Sequence, residues 1–196
     1  YFAAILQNMG YIVRTGVILQ GACVQHEVDV IAKKENNHEM VECKFHQQQG
    51  TFCNVKIPLY AHSRFKDLEA GFANSPSGNN TLHHGWVVTN TRFTTDAIQY
   101  GTCAGLKLIG WNYPKGNSLN NLIDKTGLYP ITSLTSITKK EKQTLLSSNI
   151  VLCKEIINNP DLLNRAAITQ TKHEAIIQEA KELCKKIDAL AQHDPL

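Results

Sequence analysis

Apolar residues recur along this chain at two spacings. From Tyr1 to Met9 they fall at Phe2, Ile5, Leu6 and Met9, the three- and four-residue spacing of one helical face. Gly10 supplies a helix stop, and Tyr11-Ile12-Val13 opens a strand that the pattern carries to Leu19. From Val28 to Ala32, and again from Met40 to Phe45, the spacing drops to two. The polar run Lys33 to Glu39, with Asn36-Asn37 near its middle, reads as the turn of a β-hairpin joining these segments. Strict alternation puts Val28 and Val30 on one face and Glu27 and Asp29 on the other; on the second strand Val41, Cys43 and Phe45 oppose Met40, Glu42 and Lys44.

Pro58 begins a helical pattern through about Phe72, with Leu59, Phe65 and Leu68 facing inward. Asn74 to Asn80 is a loop of Ser, Gly, Asn and Pro. Gly85 to Thr89 predicts a buried strand, Thr94 to Cys103 a helix and Leu106 to Trp111 a further strand, an order that favours parallel pairing through a right-handed crossover. Tyr113 to Asn121 is dense in turn formers. The expected organisation is therefore a domain over 1–112, a linker over 113–128 and a helical domain over 129–196. In that last part Thr138-x-x-Glu141 is a capping box for a helix to about Leu146, Ser148-Asn149 makes a turn, and Leu152 to Asn158 forms a second helix closed by Pro160. Thr171-x-x-Glu174 is a second box, leading a helix to about Ala191 whose stripe is Ile176, Ile177, Ala180, Leu183, Ile187 and Leu190.

Composition narrows the class. A hydrophobic content of 42% in 196 residues supports a packed core. No apolar run approaches the ~20 residues that span a bilayer, and no signal peptide is visible, so the expectation is a soluble cytoplasmic protein. The formal charge of +3 permits nucleic-acid binding without demanding it. Six scattered cysteines suggest reduced core thiols rather than a disulfide framework. Cys23-x-x-His26 and Cys43-x-x-His46 imitate a zinc site, but residues three apart on a strand face opposite sides. No G-x(4)-G-K-[S/T] or G-x-G-x-x-G marks a nucleotide-binding loop.

The hairpin carries the chemistry. Asp29 and Glu42 are hard oxygen donors suited to Mg²⁺ or Mn²⁺, which keep several waters and need few protein ligands. Such a cation polarises a phosphodiester and generates hydroxide. Lys44, on the face of Glu42, can hold the attacking water or stabilise the charged phosphate. A solvated face of alternating charges would produce the same triplet.

The D-x(12)-E-x-K pattern on a hairpin resembles the signature of the PD-(D/E)XK nuclease superfamily. The wording G-A-C-V-Q-H-E-V-D-V-I-A…V-E-C-K is similar to its Mrr-type restriction endonuclease branch, as is V-V-T-N-T-R-F-T-T-D-A…G-L-K-L-I-G to the closing β-α-β of that fold. The resemblance covers roughly Tyr1 to Trp111. It implies an α/β restriction-endonuclease-like core (αβββαβ, a mixed sheet flanked by helices) and divalent-metal cleavage of DNA, with a restriction or genome-defence role in view. It makes Asp29 and Glu42 metal ligands, Lys44 the catalytic lysine and Glu27 an auxiliary ligand. Relatives often carry a further acid near the start of the first helix, which here would precede Tyr1, and an upstream nucleotide-binding domain such as an ATP-cone.

Around this centre, Gln48 is either a contact to metal-bound water or a solvated loop residue, and Arg64 is either a phosphate clamp sharing a helix face with Tyr60 or a surface arginine. Lys56, Tyr60, Arg64 and Arg92 are the expected DNA contacts of the first domain. L-T-S-I-T-K-K-E-K-Q-T-L-L-S-S-N-I-V-L-C-K-E-I resembles a helix-hairpin-helix unit, which would add Lys139 and Lys140, although Asn149 stands where that motif has glycine. Ile137 and Ile168 each precede a threonine, a hint of a second hairpin. Two chains could pair to cut both strands. The rival reading is a DNA-binding protein that keeps the nuclease fold but hydrolyses nothing.

Overall fold

The computed structural model describes residues 1–46, 50–73 and 82–190, and divides into two compact units: Phe2–Leu122, and Ile123–Leu196 together with Tyr1. The first is α/β. Its elements run α1 (Phe2–Asn8), β1 (Ile12–Gln20), β2 (Gln25–Lys34), β3 (Asn37–Lys44), β4 (Phe52–Cys53), α2 (Lys56–Ala73), β5 (Leu82–Thr89), β6 (Arg92–Phe93), α3 (Thr95–Cys103) and β7 (Lys107–Ile109), with α4 (Leu119–Thr126) across the boundary between the units.

Five strands form a mixed sheet in the order β1-β2-β3-β5-β7. β1, β2 and β3 are antiparallel neighbours, whereas β3, β5 and β7 run parallel. Strand β3 is central, and its consecutive residues Met40 and Val41 are both fully buried, so both faces of the sheet are covered there. Helix α2 packs on β5, and α1 on β1 and β2. Gly85 in β5 lets Phe65 and Leu106 approach: a Cβ there would lie 2.9 Å from the Leu106 side chain and 3.2 Å from the Phe65 ring. Strands β4 and β6 pair separately and in parallel, Phe52 with Arg92 and Cys53 with Phe93.

The hairpin forms, but its turn is tighter than the polar run Lys33 to Glu39 suggested: Lys33, Lys34 and Asn37 to Glu39 pair within the strands, leaving Glu35 (φ +54°) and Asn36 between them, and the strand alternation also departs from expectation. Val28 packs with Met40, Phe65 and Leu68, and Ile31 leans on the same cluster, although residues three apart on a regular strand face opposite ways. Strict alternation therefore fails between them, where the β1–β2 register passes over Gly16 (φ +57°) and Asp29. The expected common face of Val28 and Val30 does not survive this break. It lies at the candidate site.

The second unit is helical: α5 (Lys139–Ser147), α6 (Cys153–Asn158), α7 (Asp161–Arg165) and α8 (His173–Leu190), with short 3₁₀ turns at Ile131–Ser133 and Gln170–Lys172. Thr138 and Glu141 form the expected reciprocal cap. Thr171 lies within a 3₁₀ turn, and α8 starts at His173 without the second box. Two turns end the same way. After α5, Asn149 (φ +58°) and Ile150 donate to Leu146 and Leu145 O; after α7, Ala167 (φ +53°) and Ile168 donate to Asn164 and Leu163 O. Ile150, Ile168, Ile156 and Ile176 then join one core.

The stretch 113–128, expected as a linker, carries helix α4, with Ser118 Oγ accepting from the Asn121 amide at 3.3 Å. The cysteines also divide: Cys53 and Cys153 are buried, but Cys23, Cys43 and Cys103 are exposed rather than core thiols. Among the described residues no helix is long and apolar enough to cross a membrane.

Candidate functional site

Strands β2 and β3 pair from Lys34↔Asn37 to Val30↔Val41, and there the ladder ends. At the next amide that needs an acceptor, Cys43 N donates to Asp29 Oδ2 at 2.7 Å, so a side-chain carboxylate stands where a strand carbonyl would. Asp29 is itself exposed, and its carboxylate reaches across to the β3 backbone. On β3 the neighbouring Glu42 is half-buried and Lys44, two residues on, is exposed and paired in register with Thr89 of β5. The parallel β3–β5 ladder thus holds Glu42 and Lys44 at the C-terminal end of β3, beside that of β5, a usual position for ligand sites in α/β sheets.

Burial raises the Glu42 carboxyl above its ordinary value; the Arg64 guanidinium and the Lys44 ammonium oppose the rise, and the Asp29 charge adds to it. Arg64 comes from the third turn of α2 and is itself buried. It donates to Glu42 Oε2 and to the Glu27 carbonyl, and its Cζ lies 5.4 Å from the centre of the Tyr60 ring. Tyr60 and Arg64 do share a helix face, but Arg64 is no surface phosphate clamp in this arrangement: its two terminal nitrogens are committed within the protein.

Asp29 meets β3 at the Cys43 amide, between Glu42 and Lys44, which are two residues apart on that strand. Glu27 is exposed and contributes its carbonyl to Arg64. Lys56 and Tyr60 are exposed in the first turns of α2, and Arg92 is exposed on β6. Lys139 and Lys140 are exposed in the first turn of α5, in the other unit. Gln48 lies outside the described residues.

Each carboxylate is anchored through one oxygen, Asp29 by Oδ2 and Glu42 by Oε2. Two carboxylates on neighbouring strands are a donor set that suits a hard divalent cation retaining water. Among the described residues no cluster of three or more His, Cys, Asp and Glu is arranged to hold a metal. The two Cys-x-x-His pairs do not converge: His26 Nε2 bonds Asp67 Oδ2 at 2.7 Å, and the His46 backbone exchanges hydrogen bonds with the Asn90 side chain.

Asp67 is a residue that sequence reasoning passed over. It accepts from the Cys23 and Val24 amides (2.7 and 3.3 Å) as well as His26, and its own carbonyl accepts from Ala22 N at 2.9 Å. These bonds hold its carboxyl at about 2, His26 being the largest cause. It ties the β1–β2 connection to α2, one turn beyond Arg64. That i, i+3 spacing was the available signal.

Comparison with known proteins gives family but no activity. The family described as "AF1548-like, C-terminal" matches residues 129–184. An uncharacterised protein of Archaeoglobus fulgidus is 34% identical over 182 residues, 92% of this chain and 98% of its own. The crystal structure of the protein of unknown function AF1548 superposes with a TM-score of 0.73 at 33% identity, covering 94% of this chain and 95% of that one. A chain of protein VC1899 from Vibrio cholerae aligns over 56% of this chain and 27% of its own at 21% identity, with a TM-score of 0.37 too low to bear on the argument.

Proposed function

The chain belongs to the AF1548-like family, and we propose that its first unit is a divalent-metal-dependent DNA endonuclease with a PD-(D/E)XK, restriction-endonuclease-like core of the Mrr type, acting in the cytoplasm in restriction or genome defence. The observation that carries this reading is the meeting of three groups where β2 and β3 part. The Asp29 carboxylate accepts from the Cys43 amide at the opening of the ladder, and Glu42 and Lys44 flank that cysteine on β3. The element order α1-β1-β2-β3-α2-β5-α3-β7, set aside the short β4 and β6, supports the fold assignment.

In this reading Asp29 and Glu42 hold Mg²⁺ or Mn²⁺, whose chemistry when bound is to activate water and offset charge on the leaving oxygen. The Cys43 amide fixes the Asp29 carboxylate, and Arg64 fixes that of Glu42, so neither pays the full entropy of ordering when a ligand arrives. The Lys44 ammonium is exposed beside Glu42, where it can orient the attacking water and favour the extra negative charge of the five-coordinate phosphate. In the second unit, the paired turns at Ser148–Ile150 and Ala166–Ile168, with Lys139 and Lys140 nearby in sequence, are a helix-hairpin-helix-like grip for the DNA backbone.

A specific observation favours a second reading. Arg64 already supplies a positive partner to Glu42, so the pair can be read as a structural bridge in a fold that binds DNA without cutting it. A plasmid-nicking assay separates the two. Cleavage that needs Mg²⁺ or Mn²⁺ and is lost in both Asp29→Ala and Lys44→Ala supports the enzyme; DNA binding with no nicking in either metal supports the silent binder.

A further inference from the structure

Helix α2, packed over β5 and β1, ends at Ala73, and Phe72 is its last half-buried ring. Beside that end, the strand register sets a row of residues across four strands: Ile12 opposite Lys33, Lys33 opposite His38, and His38 opposite Leu82. A neighbouring row pairs Arg14 with Ile31. Directly opposed residues share a sheet face, and each of these side chains lines, with Phe72, one cavity of about 350 Å³.

Regular alternation would turn Val17 and Leu19 to the other side of β1 from Ile12 and Arg14. Gly16, at φ +57°, stands where that alternation breaks, and Val17 and Leu19 line the same cavity. Leu19, Ile31 and Phe72 are half-buried against the core of Val28, Met40, Phe65, Leu68 and Leu82. The cavity floor is therefore the open fringe of that core. Its polar groups are of one kind: Arg14 and Lys33 are exposed, His38 adds an imidazole, and no described lining residue is acidic. Among the described residues neither the Arg14 nor the Lys33 side chain has a hydrogen bond or ion pair, whereas Arg64 and Lys107 of the same unit hold Glu42 and Glu39.

We infer that this cavity binds a small amphipathic anion, an alkyl carboxylate of the fatty-acid class, with its chain on Val17, Leu19, Ile31 and Phe72 and its head group at Arg14 and Lys33. Small-molecule sites typically enclose about 300–1,000 Å³ behind apolar walls with a few convergent polar groups, and this cavity has that make-up. An inorganic anion would leave the apolar floor unused. A neutral hydrocarbon would partly desolvate two cations without supplying a counter-charge. A second copy of the chain docked here about a two-fold axis would set these cations against their own kind. Charge complementarity over an apolar floor thus selects the occupant. The inference is independent of the nuclease reading, because Asp29, Glu42 and Lys44 are not among the lining residues.

Isothermal titration calorimetry of the full chain with octanoate, 1-octanol and acetate tests it. Octanoate should bind at one site per chain. Acetate, which keeps the head group, and 1-octanol, which keeps the chain, should each bind at least tenfold more weakly. Arg14→Gln and Lys33→Gln should each weaken octanoate binding about twofold to fivefold, as loss of an exposed ion pair does, and the double variant should weaken it further. Val17→Asp, which sets an anion over the floor, should abolish binding. Lys154→Gln, at an exposed lysine of the helical unit, should bind as wild type. Circular dichroism identifies a variant that fails to fold, and if Val17→Asp does, the exposed Arg14 and Lys33 positions carry the test. No saturable octanoate binding, acetate or 1-octanol binding as tightly as octanoate, or a folded Arg14→Gln, Lys33→Gln double variant that binds like wild type overturns the inference. Sedimentation equilibrium showing a dimer that Val17→Asp dissociates would give this face to a second copy and overturn it as well.

Discussion

Arg64→Met is the perturbation that probes the site most sharply through stability. The wild-type guanidinium and the Glu42 carboxylate are 10% and 16% exposed, and Arg64 also donates to the Glu27 carbonyl. Removing one partner of a buried pair leaves an uncompensated charge and costs about 3–5 kcal/mol. Lys44 sits near Glu42 and softens that loss, so the lower end, about 3 kcal/mol, is expected. The pH dependence follows from sign. The Glu42 carboxyl is already raised above its ordinary 4.5, and Arg64 is the strongest influence holding it down, so the variant raises it further. A raised acid contributes stability that is fully present below its unfolded value and is lost as pH rises through its folded value. The penalty should therefore be largest at neutral pH and shrink as pH falls toward 4.5, while Glu42→Gln added to Arg64→Met should recover most of it. Both tryptophans, Trp86 and Trp111, lie in the first unit, so urea titration followed by tryptophan fluorescence in EDTA reports this unit alone. A penalty below about 1 kcal/mol, or one that neither pH nor Glu42→Gln changes, would refute the reasoning.

Other outcomes are expected at neighbouring positions. Asp29→Asn keeps an oxygen to accept from the Cys43 amide and removes a like charge from Glu42, so folding stability at neutral pH should hold or rise while cleavage falls by ~100-fold or more; a stability loss matching the activity loss would mark Asp29 as structural. Asp67→Asn should lower the urea midpoint at neutral pH. It should also flatten the acid loss that wild type shows as pH falls from 3.8 through about 2, because a depressed carboxyl stabilises only above that window. Ala167→Gly in the helical unit relieves a left-handed backbone at φ +53°, and thermal denaturation followed by circular dichroism should show a gain of about 0.5–1 kcal/mol after glycine's extra unfolded-state entropy.

The parts of this molecule legible in its sequence are those fixed by short-range rules. The helix ending at Gly10, the cap formed by Thr138 with Glu141, the Thr94 cap of α3 and the left-handed Asn149 all follow from residue chemistry within a few positions. The hairpin that joins β2 to β3 was legible too. What escaped depends on partners far apart in sequence. Alternation assigns Asp29 to a solvent face, but the diverging strands hand it the Cys43 amide fourteen residues away. The spacing of Tyr60 and Arg64 shows a shared helix face and cannot say that the sheet's own glutamate will bury the arginine. Asp67 anchors amides more than forty residues distant, and Cys43 looks apolar in pattern yet lies exposed where the ladder has opened. The run after Tyr113 is rich in turn formers, but Ser118 and Asn121 cap a helix inside it.

The proposed nuclease activity requires that Asp29 and Glu42 hold a divalent cation that Lys44 does not hold but uses. Manganese binding followed by electron paramagnetic resonance, in parallel with plasmid cleavage, tests this directly. The wild type should bind Mn²⁺ and cut; Asp29→Ala and Glu42→Ala should lose both; Lys44→Ala should keep the bound ion and lose the cutting. Mn²⁺ binding unchanged in the two carboxylate variants, or cleavage that survives in Lys44→Ala, would contradict it.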